Sequence, residues 1–325
     1  MLSKIGDEMY FPFFYGRQSE FFALRGMLND PRPAHLLLPI IEPVRSNPSS
    51  LLTCLKAFDK SQRMVAVIVN PDKYELKRPE DISSWQKVVL PEIDQLPHVL
   101  PTYKCSSTTT AAKIDGFLKR FPDREVAFAY ASPSLTNPEI SALGGNQNVR
   151  FHIVLNGKMS TSHQALLPVS KLVDIRDYFN KLDRNADYDG DEFFTDRHMT
   201  FQKNYTGYGD YTCIGSEFKP GGGQPGAVAI HAIYKHSSGE IWMEHFVSDY
   251  KKITEGDVED KFNQAATKLT NAVKARPFEF GSNLALDEYA KYVTPPPHCP
   301  GLRVNKTLQI HHHICLMLDV LTRKV

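Results

Sequence analysis

Short apolar runs recur along the first half of the chain, and most of them end on a polar residue followed by proline or glycine. They cover 36–41 before Glu42 and Pro43, 64–69 before Asn70 and Pro71, 126–130 before Ser132 and Pro133, and 150–155 before Asn156 and Gly157. A further run, 99–103 before Lys104, fills the gap, and 10–14 opens the series. With Glu42, Asn70, Tyr103, Tyr130 and Asn156 as markers the steps are 28, 33, 27 and 26 residues, room for one strand, one helix and two short loops. Helical patterns lie between the runs, over 18–28, 49–58, 84–95, 110–121 and 137–143. Strands apolar on both sides and alternating with helices predict a parallel sheet buried by its crossovers. The glycine-rich phosphate turn of a dinucleotide fold is missing after every strand, which favours a closed (β/α)8 TIM-like barrel over an open doubly wound sheet.

Past Asn156 the rhythm fails. Residues 171–175 read as a seventh strand carrying Asp174, followed by Arg176 and Asp177, and 211–214 read as the eighth. A glycine-rich stretch, 219–226, reads as a flexible loop before two alternating segments, 227–234 and 240–247, joined by a turn at 237–239. These predict an antiparallel β-hairpin inserted in the barrel. An amphipathic helix over 260–274 and a closing helix over 305–321 complete the chain. The expectation is a single barrel domain over 1–325, with the loop and hairpin inserted at 216–250.

The chain has 325 residues, with 38 Lys and Arg against 37 Asp and Glu for a formal charge of +1. That length suits one barrel with insertions, since a minimal barrel needs about 250 residues. A neutral total neither calls for nucleic acid nor excludes it, because a basic patch can hide within it. No apolar stretch approaches the ~20 residues of a membrane helix and no signal-peptide core opens the chain, so a cytoplasmic protein is expected. Residues 1–8 form a polar lead, and Met9 is an alternative start to Met1. Cys54, Cys105, Cys213, Cys299 and Cys315 show no paired spacing, so neither a disulfide framework nor a zinc knuckle is implied.

The strand ends carry the strongest chemical signal: Arg17, Glu42, Asn70, Tyr130, Asn156, Asp174 and Arg176. In a barrel such residues converge on one mouth, where a carboxylate, amides and guanidinium groups suit binding or hydrolysis of a polar, anionic small molecule. The alternative is that Glu42-Pro43 and Asn70-Pro71 only terminate strands. The segment Asn185-Ala-Asp187-Tyr-Asp189-Gly190 with Asp196 has the spacing of a calcium loop. It departs at Asn185, Glu192 and Asp196, so it reads as a solvated acidic loop or, alternatively, as a holder of a divalent cation shared with the mouth. His311, His312 and His313 point about 100° apart on a helix and cannot all ligate one metal, while His231, His236 and His245 lie on the hairpin without a partner of ligand spacing. The common signatures of serine hydrolases, P-loop NTPases, zincins and deaminases are missing.

Two stretches stand out: Met9-Tyr10-Phe11-Pro12-Phe13-Phe14-Tyr15-Gly16-Arg17-Gln18 with Glu20, Ala23, Leu24 and Arg25, leading to Pro39-Ile40-Ile41-Glu42-Pro43-Val44, and Gly207-Tyr208-Gly209-Asp210-Tyr211-Thr212. Both resemble the Beta protein family, named for a protein of a phage-satellite immunity cluster. The resemblance implies a bacterial or prophage barrel protein encoded beside a partner in loci linked to anti-phage defence. It marks Arg17, Gln18, Glu20, Glu42, Asn70 and Asp210 as matching positions without assigning them roles.

The sequence therefore predicts a component of a bacterial defence or mobile-element module whose barrel mouth binds or hydrolyses an anionic, nucleotide-like ligand. Glu42 and Asp210 are the candidate catalytic residues. Arg17, Gln18, Asn70, Tyr130, Asn156, Asp174 and Arg176 are the candidate ligand contacts. The rival is a non-catalytic barrel that docks and regulates a co-encoded partner protein or a second copy, with Trp242 of the hairpin as the interface anchor.

Overall fold

A computed structural model describes residues 9–221 and 223–325; the polar lead at 1–8 and Gly222 of the glycine-rich loop lie outside the described residues. The strands are β1 (Met9–Tyr10), β2 (Phe13–Phe14), β3 (Ile40–Ile41), β4 (Val65–Ile68), β5 (Val99–Cys105), β6 (Val126–Tyr130), β7 (Val149–Leu155), β8 (Leu172–Arg176), β9 (Asp191–Thr195), β10 (Gly207–Asp210), β11 (Ala229–Lys235) and β12 (Ile241–Val247). The α-helices are α1 (Gln18–Met27), α2 (Ser49–Lys60), α3 (Pro79–Asp94), α4 (Ala111–Arg120), α5 (Asn137–Gly145), α6 (Thr161–Gln164), α7 (Val258–Ala275), α8 (Pro277–Phe280), α9 (Leu284–Tyr292) and α10 (Leu302–Leu321). They fall into two compact units, one of residues 9–17, 33–177 and 199–211 and the other of residues 18–32, 178–198, 212–221 and 223–325.

The first unit is the barrel. Its parallel sheet runs β1-β10-β8-β7-β6-β5-β4-β3-β2, and the two ends of that order are the two halves of one strand. Phe11 N–H donates to Tyr208 O on one side at 2.9 Å, while Pro12 O and Phe14 O accept from Ile40 and Glu42 on the other at 2.9 and 2.8 Å. The first strand thus bonds both neighbours and closes the ring. Pro12 has no N–H to give, which breaks the ladder locally and leaves the strand in two short pieces. Helices α2 to α6 follow β3 to β7 in turn, as the even marker spacing predicts. Thr136 and Glu139 cap the start of α5 reciprocally.

The registers fix which side chains face the interior, because side chains alternate along each strand and laterally paired residues share a face. Paired in sequence round the ring, they place Phe11, Phe13, Ile40, Glu42, Ala66, Ile68, Asn70, Thr102, Lys104, Ala129, Ile153, Ile175, Gly207, Gly209 and Tyr211 inside. Phe11 fills the interior, its ring edge-on to Phe151 at 5.1 Å. The last strand is β10, just upstream of the expected 211–214. A Cβ on Gly209 would stand 1.9 Å from Phe11 O, and one on Gly207 would stand 2.3 Å from the Phe11 ring. Glycine is needed there to let the first and last strands meet, and strand propensity alone passes over it.

The second unit holds an antiparallel sheet in the order β11-β12-β9, with α1 and α7 to α10. The expected hairpin is present as β11 and β12, and the acidic segment after Gly190 adds β9 as its third strand. Ile230, Tyr234 and Phe246 pack against Phe262, Leu269, Phe280 and Tyr289 from α7, α8 and α9. The apolar surface of the hairpin is therefore covered by helices of its own unit. No helix among the described residues is long and apolar enough to cross a membrane.

Candidate functional site

At the C-terminal ends of β3 and β5, two interior side chains meet. Lys104 Nζ donates to Glu42, buried at 2 % exposure, and to Asp72 of the loop after β4 at 2.5 Å. Lys104 is itself only 5 % exposed, while the Asp72 side chain is half exposed, so the network runs from a dry interior to solvent. Asn70 holds the lysine in place: its amide donates to Lys104 O at 2.9 Å and accepts from Lys104 N–H at 2.8 Å. It is a backbone brace between β4 and β5.

Burial pushes the Glu42 carboxyl above the ordinary carboxylate range, more than Lys104 and Lys73 pull it down. Burial disfavours the Lys104 ammonium, yet Glu42 and Asp72 outweigh it and hold the amine protonated beyond its usual range. A carboxyl that keeps its proton to higher pH beside a fixed ammonium is suited to general acid–base work on an anionic substrate. Lys104 is missing from the sequence-level candidates because it follows the strand marker Tyr103. Tyr103 itself faces outward onto Phe117 of α4, at 5.3 Å between ring centroids.

Two tyrosines complete the mouth. Tyr211 packs on Phe13 at 5.1 Å and lies nearly parallel to Tyr15 at 6.3 Å. Lys73 Nζ stands 5.8 Å from the Tyr15 ring centre. Burial, and after it Glu42 and Asp177, raise the Tyr211 hydroxyl far above its usual range, so it stays a neutral donor. Asn156, at φ +51, accepts from Asp177 N–H at 2.8 Å and reaches Tyr211 Oη at 3.5 Å. Arg17 leaves the first strand two residues after Tyr15.

Four expected site residues do not join this cluster. Tyr130 faces outward with Phe128, and its hydroxyl shares a 2.8 Å hydrogen bond with His152 Nδ1; both residues are fully buried. Asp210 and Asp174 are also on the outer face. Asp210 accepts from Tyr10 Oη at 2.8 Å, and Asp174 accepts from Arg176 Nε at 2.8 Å. Gln18 belongs to the second unit, where it accepts from Arg303 at 2.7 Å. The cause is common to the strand residues: alternation decides inward from outward, and an all-apolar strand does not display its alternation. Arg176, at the very end of β8, bends over Gly157 in the turn after β7, where a Cβ would stand 2.3 Å from its Nη1.

In the second unit the acidic loop gathers no cation cage. Asp187 pairs with Arg184, Asn185 donates to Ala227 O at 3.1 Å, and the chain after Gly190 enters β9. The antiparallel pairing of β11 and β12 brings two hairpin histidines together. His231 and His245 lie opposite each other in register and share a 2.8 Å Nδ1–Nδ1 hydrogen bond, and His245 Nε2 stands 3.3 Å from Glu192. Burial lowers both histidines, so the pair is neutral. Trp242 is partly buried, donates to Glu240 at 3.2 Å and meets the half-exposed Phe193 of β9 edge-on at 6.4 Å.

Fold and site together define a (β/α)8 barrel with a buried glutamate–lysine pair at the C-terminal end of its strands. The chain matches no protein-family model, and a search of curated proteins finds no match to it.

Proposed function

We propose that the barrel mouth binds and cleaves an anionic, nucleotide-like ligand, with Glu42 as general acid–base and Lys104 as the fixed cation that faces developing negative charge. The observation that carries this reading is the burial of Glu42 and Lys104 against each other where barrel enzymes place their chemistry. A barrel with no ligand to serve gains little from two charges there, since an apolar pair of similar volume is often as stable. Lys73 and Arg17 supply cations for the ligand's anionic groups, and Asn70 acts only by positioning Lys104. The resemblance to the Beta protein family supports a cytoplasmic setting in a bacterial defence or mobile-element module.

The test is a thermal-shift and calorimetric screen of nucleotides and sugar phosphates, followed by product analysis of every binder. Arg17→Ala is expected to weaken binding about 10- to 100-fold, the worth of a charge-assisted hydrogen bond. Glu42→Gln is expected to abolish turnover and keep binding. No binder in the screen, or turnover unchanged in Glu42→Gln, overturns the reading.

A second reading, docking of a co-encoded partner or a second copy, draws on one observation. The β9 edge strand leaves Phe193 48 % exposed beside Trp242, and an edge strand with an exposed aromatic is a template for pairing. Trp242→Ala would then lower the mass seen by light scattering without unfolding the protein; an unchanged assembly removes this reading.

A further inference from the structure

The second unit contains a cluster for which the barrel chemistry has no use. Helix α1 ends at Met27 and is followed by Asp30 and Arg32, and α10 carries His311 and Cys315 one turn apart on one face. Ligating atoms of Asp30, His311 and Cys315 all lie within 4.8 Å of one another, and the residues are 3, 7 and 0 % exposed. His311 Nε2 is buried with no hydrogen-bond partner and points to Asp30 Oδ2 at 3.8 Å. Cys315 Sγ is 3.5 Å from the same oxygen and 3.8 Å from Met27 Sδ. On α1, Gly26 leaves room for the imidazole, since a Cβ there would stand 3.1 Å from His311 Nδ1.

We propose that Asp30, His311 and Cys315 form a structural zinc site that ties the end of α1 to α10. The spacing fits the ion: Zn–S of about 2.3 Å and Zn–O of about 2.0 Å separate tetrahedral sulfur and oxygen ligands by roughly 3.5 Å. That is the Cys315–Asp30 distance. The carboxylate is already oriented, because Arg32 donates to Asp30 Oδ1 from its backbone at 3.0 Å and to Oδ2 from Nη1 at 2.9 Å. Each carboxylate oxygen has a second lone pair, so Oδ2 can still ligate. Arg32 is held on its other side by Asp319 at 2.6 Å.

Charge points the same way. Arg32 sits between two buried carboxylates, Asp30 and Asp319, so the group has one carboxylate more than it has guanidinium. When zinc enters, Cys315 loses its proton to water as the Zn–S bond forms, and the dication and thiolate together bring the group to zero.

The experiment uses the full chain, stripped with a chelator and titrated with cobalt(II) and then zinc(II). The expected results are a near-ultraviolet thiolate-to-cobalt charge-transfer band at one cobalt per chain, its displacement by zinc, and a higher melting temperature with zinc. Cys315→Ala and His311→Gln are expected to lose the band and the thermal shift. No band and no bound zinc in the wild-type chain overturns the proposal, and that result does not depend on the variants folding. Zinc retained at one per chain in Cys315→Ala, or uptake of copper(I) without zinc, overturns it as well.

Discussion

The mouth of the barrel and the histidine chain on the hairpin solve one problem in opposite ways. Both bury titratable groups in contact with each other. At the mouth Lys104 keeps its charge, held by Glu42 and Asp72 against the burial that disfavours it. On the hairpin, burial strips the charge from His231 and His245, leaving a neutral pair with Glu192 beside it. Neutralising is the cheaper way to bury an ionisable group. Retained charge that runs out to a half-exposed Asp72 is therefore the better marker of a place where a ligand is met.

Breaking the two regions separates them. Lys104→Met leaves Glu42 without its contacting cation and is expected to cost about 3–5 kcal/mol, read by denaturant unfolding. A loss below about 1 kcal/mol would mean the pair is solvated and the contrast false. Acid tests the neutral side. His231, His245, His152 and His312 all titrate below the usual 6.5 because of burial, His152 at about 3 and His312 at about 4. A histidine depressed in the fold binds its proton more readily when unfolded. Its stabilisation is therefore full above pH 6.5 and lost as pH falls toward the folded value. The slope is up to about 1.4 kcal/mol per pH unit for each such residue. Melting measured from pH 7 to 5 should fall steeply, and His245→Asn should flatten part of that slope.

Smaller effects sharpen the line between inside and outside. Tyr130→Phe removes the buried partner of His152 and should cost about 1–3 kcal/mol, while nucleotide affinity at the mouth stays unchanged in calorimetry. An affinity loss would place Tyr130 at the mouth after all. Arg17→Ala should shift stability by only roughly 0.5 kcal/mol and show itself in ligand affinity instead.

The barrel was legible in the sequence because its strands end on a rhythm of polar residue and proline or glycine, and Glu42 and Asn70 stand on that rhythm. The direction of side chains was not. Parallel strands buried on both faces read as unbroken apolar runs, so nothing in Val126–Tyr130 says that Ala129 faces in and Tyr130 out. Lys104 escaped notice for the same reason: one step past Tyr103 changes the face. The glycine-led β10 was displaced by four residues because its glycines answer to Phe11, a contact from the other end of the barrel chain. Asn70, read as a ligand contact, has its amide committed to the backbone of Lys104, which only a structure can show.

The account turns on Glu42 as a poised acid, and its carboxyl can be observed directly. A carbon-detected NMR titration of glutamate-labelled protein, assigned through Glu42→Gln, should find Glu42 titrating above the ordinary 4.5 and moving when a nucleotide is added. A Glu42 that titrates at or below 4.5 and ignores every nucleotide would show a plain structural ion pair and contradict the account.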